Sequence, residues 1–155
     1  MIRQLLYRSG QLSEFTGPEM GRLLQRARLA NARAGIGGML LYHDGLFMQM
    51  LEGPLAAVDA LYARIAADVR HCEVRLLVRS ERAQALLPGV ALAWAETVPE
   101  GGPPAFPGLA SDRRALDLLV RAGADRVATA MRSFLQGDAV PGGGLGCVRV
   151  AERVL

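Results

Sequence analysis

The stretch from Asn31 to Gly53, NARAGIGGMLLYHDGLFMQMLEG, sets the tightest limits on what this chain can become. It reads as two apolar strands, Gly37 to Tyr42 and Leu46 to Leu51, joined at His43, Asp44 and Gly45, where Asp-Gly is a strong hairpin signal. Both strands are apolar on both faces, the pattern of central strands covered on either side and not of a half-wet sheet. Gln49, between Met48 and Met50, breaks the pattern. A primary amide buried there costs about 1–3 kcal/mol for each hydrogen-bonding group left unpaired, so the fold must supply it with partners.

With 155 residues, of which 51% are hydrophobic and 21% charged, the chain has the composition of one soluble globular domain with a core of its own. There is no apolar run near membrane-spanning length and no signal-peptide pattern at the start, which predicts a cytoplasmic protein with no membrane partner. Cys72 and Cys147 do not form a metal-ligand spacing and read as plain thiols, so no metal is expected. The net charge of +3 comes from arginine alone, since the sequence contains no lysine. The arginines are scattered, with no stripe of interleaved aromatics, so no nucleic-acid footprint is read.

In order, Ile2 to Ser9 reads as a strand that places Leu5, Tyr7 and Ser9 on one face. Thr16 caps a helix from Pro18 to about Ala32, on which Leu23, Leu24, Ala27, Ala30 and Asn31 share a face while Arg22, Arg26, Arg28 and Arg33 fall mostly outside it. After the hairpin, a helix from Leu55 to Val69 turns Val58, Leu61, Tyr62 and Ile65 inward. Glu73 to Arg79 is a further strand and Pro88 to Glu96 a last one, with Val90, Leu92 and Trp94 on one face. This βαββαββ order predicts an α+β, ferredoxin-like sheet with two helices on one face and a ligand groove between them. The expected division is a domain over 1–98, a Pro/Gly linker over 99–110, a helical hairpin over 111–136 and a tail over 137–155. The tail reads equally as an edge strand, an interface element or disordered chain.

The polar residues aimed at that groove are Tyr7, Asn31 and Gln49. Over residues 1–96 the sequence resembles the BLUF domains, blue-light sensors that use FAD, in LLYRSG (5–10), ARLANARAGIGGMLLY (27–42), GLFMQMLEG (45–53) and IAADVRH (65–71). The resemblance implies FAD as cofactor, with its ring between the helices against Leu23 and Ile65. It implies that Asn31 meets the pyrimidine edge, that Gln49 bridges ring and Tyr7, and that Tyr7 donates an electron and a proton to the excited flavin. Ser9 joins the cofactor set, and Arg64, Asp68, Arg70 and His71 match positions near the ribose and phosphates. Primary amides suit a flavin edge because they carry both donor and acceptor, and exchanging the two ends of the Gln49 amide rewrites its bonds at nearly constant volume.

Two departures stand out. Val90 and Leu92 occupy the last-strand places where the family commonly has Trp and Met, with Trp94 two positions further along, and Gly37 replaces the family's Thr. All three last-strand residues are expected to relay the signal. The leading expectation is a stand-alone light sensor, not an enzyme, that forms a homo-oligomer and works through an unidentified downstream protein, using the appended helices as output surface. The competing reading is a BLUF-like interaction module with weakened flavin binding or signalling. A small ferredoxin-like enzyme such as an acylphosphatase would need an Arg and an Asn around a phosphate loop, and the sequence shows no such glycine-rich cradle.

Overall fold

The computed structural model describes residues 1–11, 15–68, 71–98 and 101–137. Strand β1 (Ile2–Gln11) leads to helix α1 (Gly17–Ala34). The helix begins at a reciprocal capping box: Glu19 N donates to the Thr16 hydroxyl (3.2 Å) and Thr16 N donates to the Glu19 carboxylate (3.4 Å), with Pro18 in the first turn. Strands β2 (Gly37–His43) and β3 (Leu46–Gly53) form the expected hairpin. Asp44 (φ 46°) and Gly45 (φ 80°) take the two positive φ values of a type I′ turn. Helix α2 (Leu55–Ala66), β4 (His71–Arg82), β5 (Ala93–Glu96), α3 (Arg113–Arg121) and α4 (Arg126–Leu135) complete the order.

The sheet runs β4-β1-β3-β2-β5, antiparallel except for the parallel β2·β5 pair. This is the ferredoxin-like α+β arrangement. Alternation along the strands sorts side chains onto two faces. On the front, Leu5, Tyr7 and Leu51 pack with Val58 of α2, while Leu40, Phe47 and Trp94 pack with Met20 and Leu24 of α1. On the back, Leu6, Met39, Leu41, Met48 and Met50 meet Ala115, Leu119, Val127, Met131 and Phe134 of α3 and α4. The double-sided apolar pattern of the hairpin strands is thus answered by a third layer. The C-terminal helices, expected as an appendage, cover the back of the sheet.

Three boundaries differ from expectation. The last strand starts at Ala93 and not at Pro88, because residues 87–90 form a turn in which Val90 N donates to Leu87 O (3.2 Å) and Gly89 takes φ 75°. Alternation therefore fails before Ala93, and Val90 packs into the back cluster while Leu92 and Trp94 face the front. His71, expected at the end of a helix, opens β4 opposite Gln11, and α2 closes at Ala66. Residues 101–110 fold back over the sheet, where Phe106, 2% exposed, packs edge-on to Trp94 and Tyr42 at ring-centroid distances of 5.4 and 4.8 Å. Val69, Arg70 and the tail beyond Gly137 lie outside the described residues, as do the side chains of His71 and Cys72.

Candidate functional site

Pairing registers place Leu76, Tyr7, Gln49, Leu40 and Trp94 in one row across the front of the sheet, from β4 to β5. Above the middle of this row, between α1 and α2, lies a cavity of ≈ 520 Å³. Tyr7, Leu40, Phe47 and Gln49 line its floor; Met20, Leu23, Ala27, Ala30 and Asn31 come from α1, and Leu61 and Ile65 from α2. Leu23 and Ile65 thus stand on the two helices that bound the cavity. Glu19, Arg22, Arg26, Asp68 and Leu92 complete the lining together with Phe15.

On the cavity floor the Tyr7 hydroxyl donates to Gln49 Oε1, and the two residues are directly opposed in the β1·β3 register. Both are buried, Tyr7 at 1% and Gln49 at 8% exposure. Burial pushes the Tyr7 phenol far above the ordinary tyrosine range, and Tyr62, whose ring centroid is 5.5 Å away, pushes it the same way. In this orientation the Gln49 amide uses its acceptor on Tyr7, and the residue lines the cavity.

Asn31 sits in the last turn of α1, where its carbonyl accepts from Ile36 N (2.9 Å). Its side-chain Nδ2 donates to Ala91 O (3.0 Å), and one turn earlier Arg28 Nε donates to Leu92 O (2.8 Å). The Asn31 side-chain amide is thus answered at Nδ2 by main chain, and the residue also lines the cavity.

The other sequence-derived residues divide. Leu92 lines the cavity, whereas Trp94, 1% exposed, lies behind it with an indole N–H that has no partner among the described residues. Ser9 is buried in β1 outside the cavity lining, and Arg64 is exposed on the last turn of α2, also outside it. Sequence reasoning passed over Arg22 and Arg26. They flank the apolar stripe of α1, and long arginine stems reach over a rim that a helical projection assigns to solvent. The signal available was their spacing of four, which puts both on one side of the helix.

An apolar cleft between two helices, floored by a hydrogen-bonded tyrosine and glutamine and edged by a second amide, defines a small-molecule-binding domain of ferredoxin-like topology. The chain belongs to the BLUF family, described as sensors of blue-light using FAD, whose model matches residues 2–90. Among curated relatives, the photoactivated adenylate cyclase subunit beta of Euglena gracilis is 42% identical over 67 residues, 41% of this chain and 8% of that protein. The blue light- and temperature-regulated antirepressor BluF of Escherichia coli is 30% identical over 74 residues, 48% of this chain and 18% of that protein. The chain therefore spans less than a fifth of either relative. Among solved structures, the dark state of the BLUF protein BlrB superposes with a TM-score of 0.61 at 25% identity, covering 88% of this chain and 96% of that one. Klebsiella pneumoniae BlrP1, solved with FMN and cyclic diGMP, gives a TM-score of 0.68 at 26% identity over 88% of this chain and 35% of its own.

Proposed function

We propose that the chain is a blue-light photoreceptor that holds the flavin of FAD in the cavity between α1 and α2 and signals through a hydrogen-bond switch at Tyr7 and Gln49. The observation that carries this reading is the Tyr7 to Gln49 hydrogen bond on the floor of that cavity. The residues present suit the group: Leu23 and Ile65 offer apolar walls to a flat ring, and Asn31 and Gln49 offer amides to an edge that has both acceptors and a donor. Arg22 and Arg26 offer cations to the phosphates.

When bound, the flavin supplies absorption of blue light and an electron-accepting ring. The raised phenol of Tyr7 keeps its proton at any physiological pH, so in the dark the proton stays on Oη, shared with Gln49 Oε1. With flavin bound, Tyr7 would give an electron to the excited ring and its Oη proton along the existing hydrogen bond to Gln49 Oε1, and both would later return to Tyr7. Once electron and proton had returned, Gln49 would be left rotated, with Nε2 donating to Tyr7 Oη, or tautomerised, and in either case with a changed set of bonds toward the cavity. A packed site with two discrete arrangements can pass such a change on. No substrate is consumed, and the output goes to a downstream protein in the cytoplasm, with the chain working as a homo-oligomer.

The test is spectroscopic. The protein purified with FAD is yellow, and blue light shifts its flavin band reversibly to the red. Tyr7→Phe keeps the colour and loses the shift. A colourless protein that takes up no FAD refutes the reading and favours the interaction module.

A further inference from the structure

A carboxylate on the back of the sheet is connected to both layers. Glu52 in β3 is 2% exposed, and each of its oxygens is engaged. Oε1 accepts from Leu87 N (2.7 Å), and Oε2 accepts from Leu86 N (2.9 Å) and from Gln4 Nε2 (3.3 Å). A buried charge is tolerated only when so fully bonded, and removing a single partner exposes its whole desolvation cost. The two amides it grips open the segment 86–92, whose Leu92 lines the cavity. Within five residues the carbonyls of the same segment accept, at Val90 from Gly38 N (3.1 Å), at Ala91 from Asn31 Nδ2 and at Leu92 from Arg28 Nε. In the other direction Gln4 Oε1 accepts from Arg82 Nη1 (3.2 Å), and Arg82 pairs with Asp125 Oδ2 at 2.9 Å. Asp125 is the N-cap of α4, its Oδ1 accepting from Val127 N and Ala128 N.

We infer that Glu52 is a positioning residue that couples the cavity to the helical hairpin: through segment 86–92 it sets the amide of Asn31, and through Gln4 and Arg82 it sets the N-cap of α4. Filling the cavity braces Asn31 and hence the carboxylate, and the brace reaches the first turn of α4 on the opposite face. Coupling between two sites is reciprocal, so a change made at the cap must alter affinity at the cavity by the same factor as filling the cavity alters the cap.

The coupling takes its ligand from the flavin reading, while one arm of the test needs no flavin. In the full chain without flavin, amide hydrogen exchange is compared between wild type, Glu52→Gln and Arg82→Met. Glu52→Gln is isosteric but replaces one acceptor with a donor facing donors, and exchange at Leu86, Leu87, Val127 and Ala128 quickens about tenfold. Arg82→Met keeps the aliphatic stem at a half-buried position, so the fold survives it, and it quickens Val127 and Ala128 about threefold. With FAD added, wild-type exchange slows at Val127 and Ala128, and FAD affinity falls about tenfold for Glu52→Gln and about threefold for Arg82→Met. Unchanged exchange in both flavin-free variants overturns the inference. So does an Arg82→Met protein that binds FAD as tightly as wild type. A wild type that binds no flavin refutes the functional reading instead, and the flavin-free arm then still decides whether Glu52 ties segment 86–92 to α4.

Discussion

Arg22 and Arg26 show how a site residue is decided by reach. Both lie on α1 and line the cavity that Tyr7 and Gln49 floor, while Arg64, the α2 cation suggested by the family resemblance, does not. If the two arginines hold phosphates, replacing both with alanine weakens FAD binding about tenfold at low salt, equivalent to about 1.4 kcal/mol, because exposed charge pairs are individually weak. Riboflavin, which has no phosphate, binds the variant and wild type alike. Titration of both flavins at low and high salt checks this, and equal weakening of both would place the arginines on the ring instead. Asn31 makes a second case. Asn31→Ala removes the partner of Ala91 O as well as an amide from the cavity, so it costs about 1–2 kcal/mol of stability even without flavin. A thermal melt of the flavin-free protein reads that cost separately from the lost affinity. Tyr7, Asn31 and Gln49 could be singled out in the sequence because a polar side chain on a buried face demands an explanation. The arginines could not, since nothing local says which solvent-facing side chain overhangs a cavity.

Elements were legible where a local signal and a periodic one agreed. Thr16, Pro18 and the apolar stripe fixed α1, and Asp44-Gly45 fixed the hairpin turn, because caps and tight turns are short-range chemistry. The last strand was misplaced where they conflicted. Pro88-Gly89 is a turn signal, yet Val90, Leu92 and Trp94 alternate, and the turn prevails because Glu52 of β3 fastens Leu86 and Leu87. Strand contact also explains Gly38, where a Cβ would come within 2.0 Å of Met50 O, so Gly38→Ala must push β2 off β3 and costs more than about 3 kcal/mol in a denaturant titration. Helix α2 is tied to β1 and β4 by Asp59, which accepts from Arg3 Nε and Arg79 Nη2, both at 3.1 Å. Burial works to raise the Asp59 carboxyl, but hydrogen bonds from Arg3 and Arg79 and their charges outweigh it and hold the group below its ordinary value of 3.8. The contribution is therefore complete above that value and lost as pH falls through the lower, folded one. Asp59→Asn should lower the melting temperature near neutral pH and flatten the loss of stability below about pH 4. Parallel acid limbs in wild type and variant would remove Asp59 from that account.

At the scale of the molecule the question is whether residues 1–98 are a unit. The sequence reading drew a domain boundary there because proline and glycine cluster beyond it, and an amphipathic helix pair does not announce where it docks. The packing argues for a different unit. Leu6, Met39, Leu41, Met48 and Met50 are fully buried beneath α3 and α4. Uncovering five such side chains, at about 1.5–3 kcal/mol each, forfeits on the order of 10 kcal/mol, which is comparable to the whole net stability of a domain of this size. Phe106 adds a second loss, since it is the lid over Trp94 and Tyr42 on the front. A chain ended after Val98 should therefore be produced mostly as insoluble protein, with any soluble fraction binding a hydrophobic dye and showing no cooperative melt. Restoring residues through Gly137 should recover a single sharp transition and, with it, flavin uptake, because the strands that carry Tyr7 and Gln49 have their other face under the hairpin. A truncated chain that melts cooperatively and binds FAD as the full chain does would show that the hairpin is dispensable cover, and would return it to the role of an appended output element.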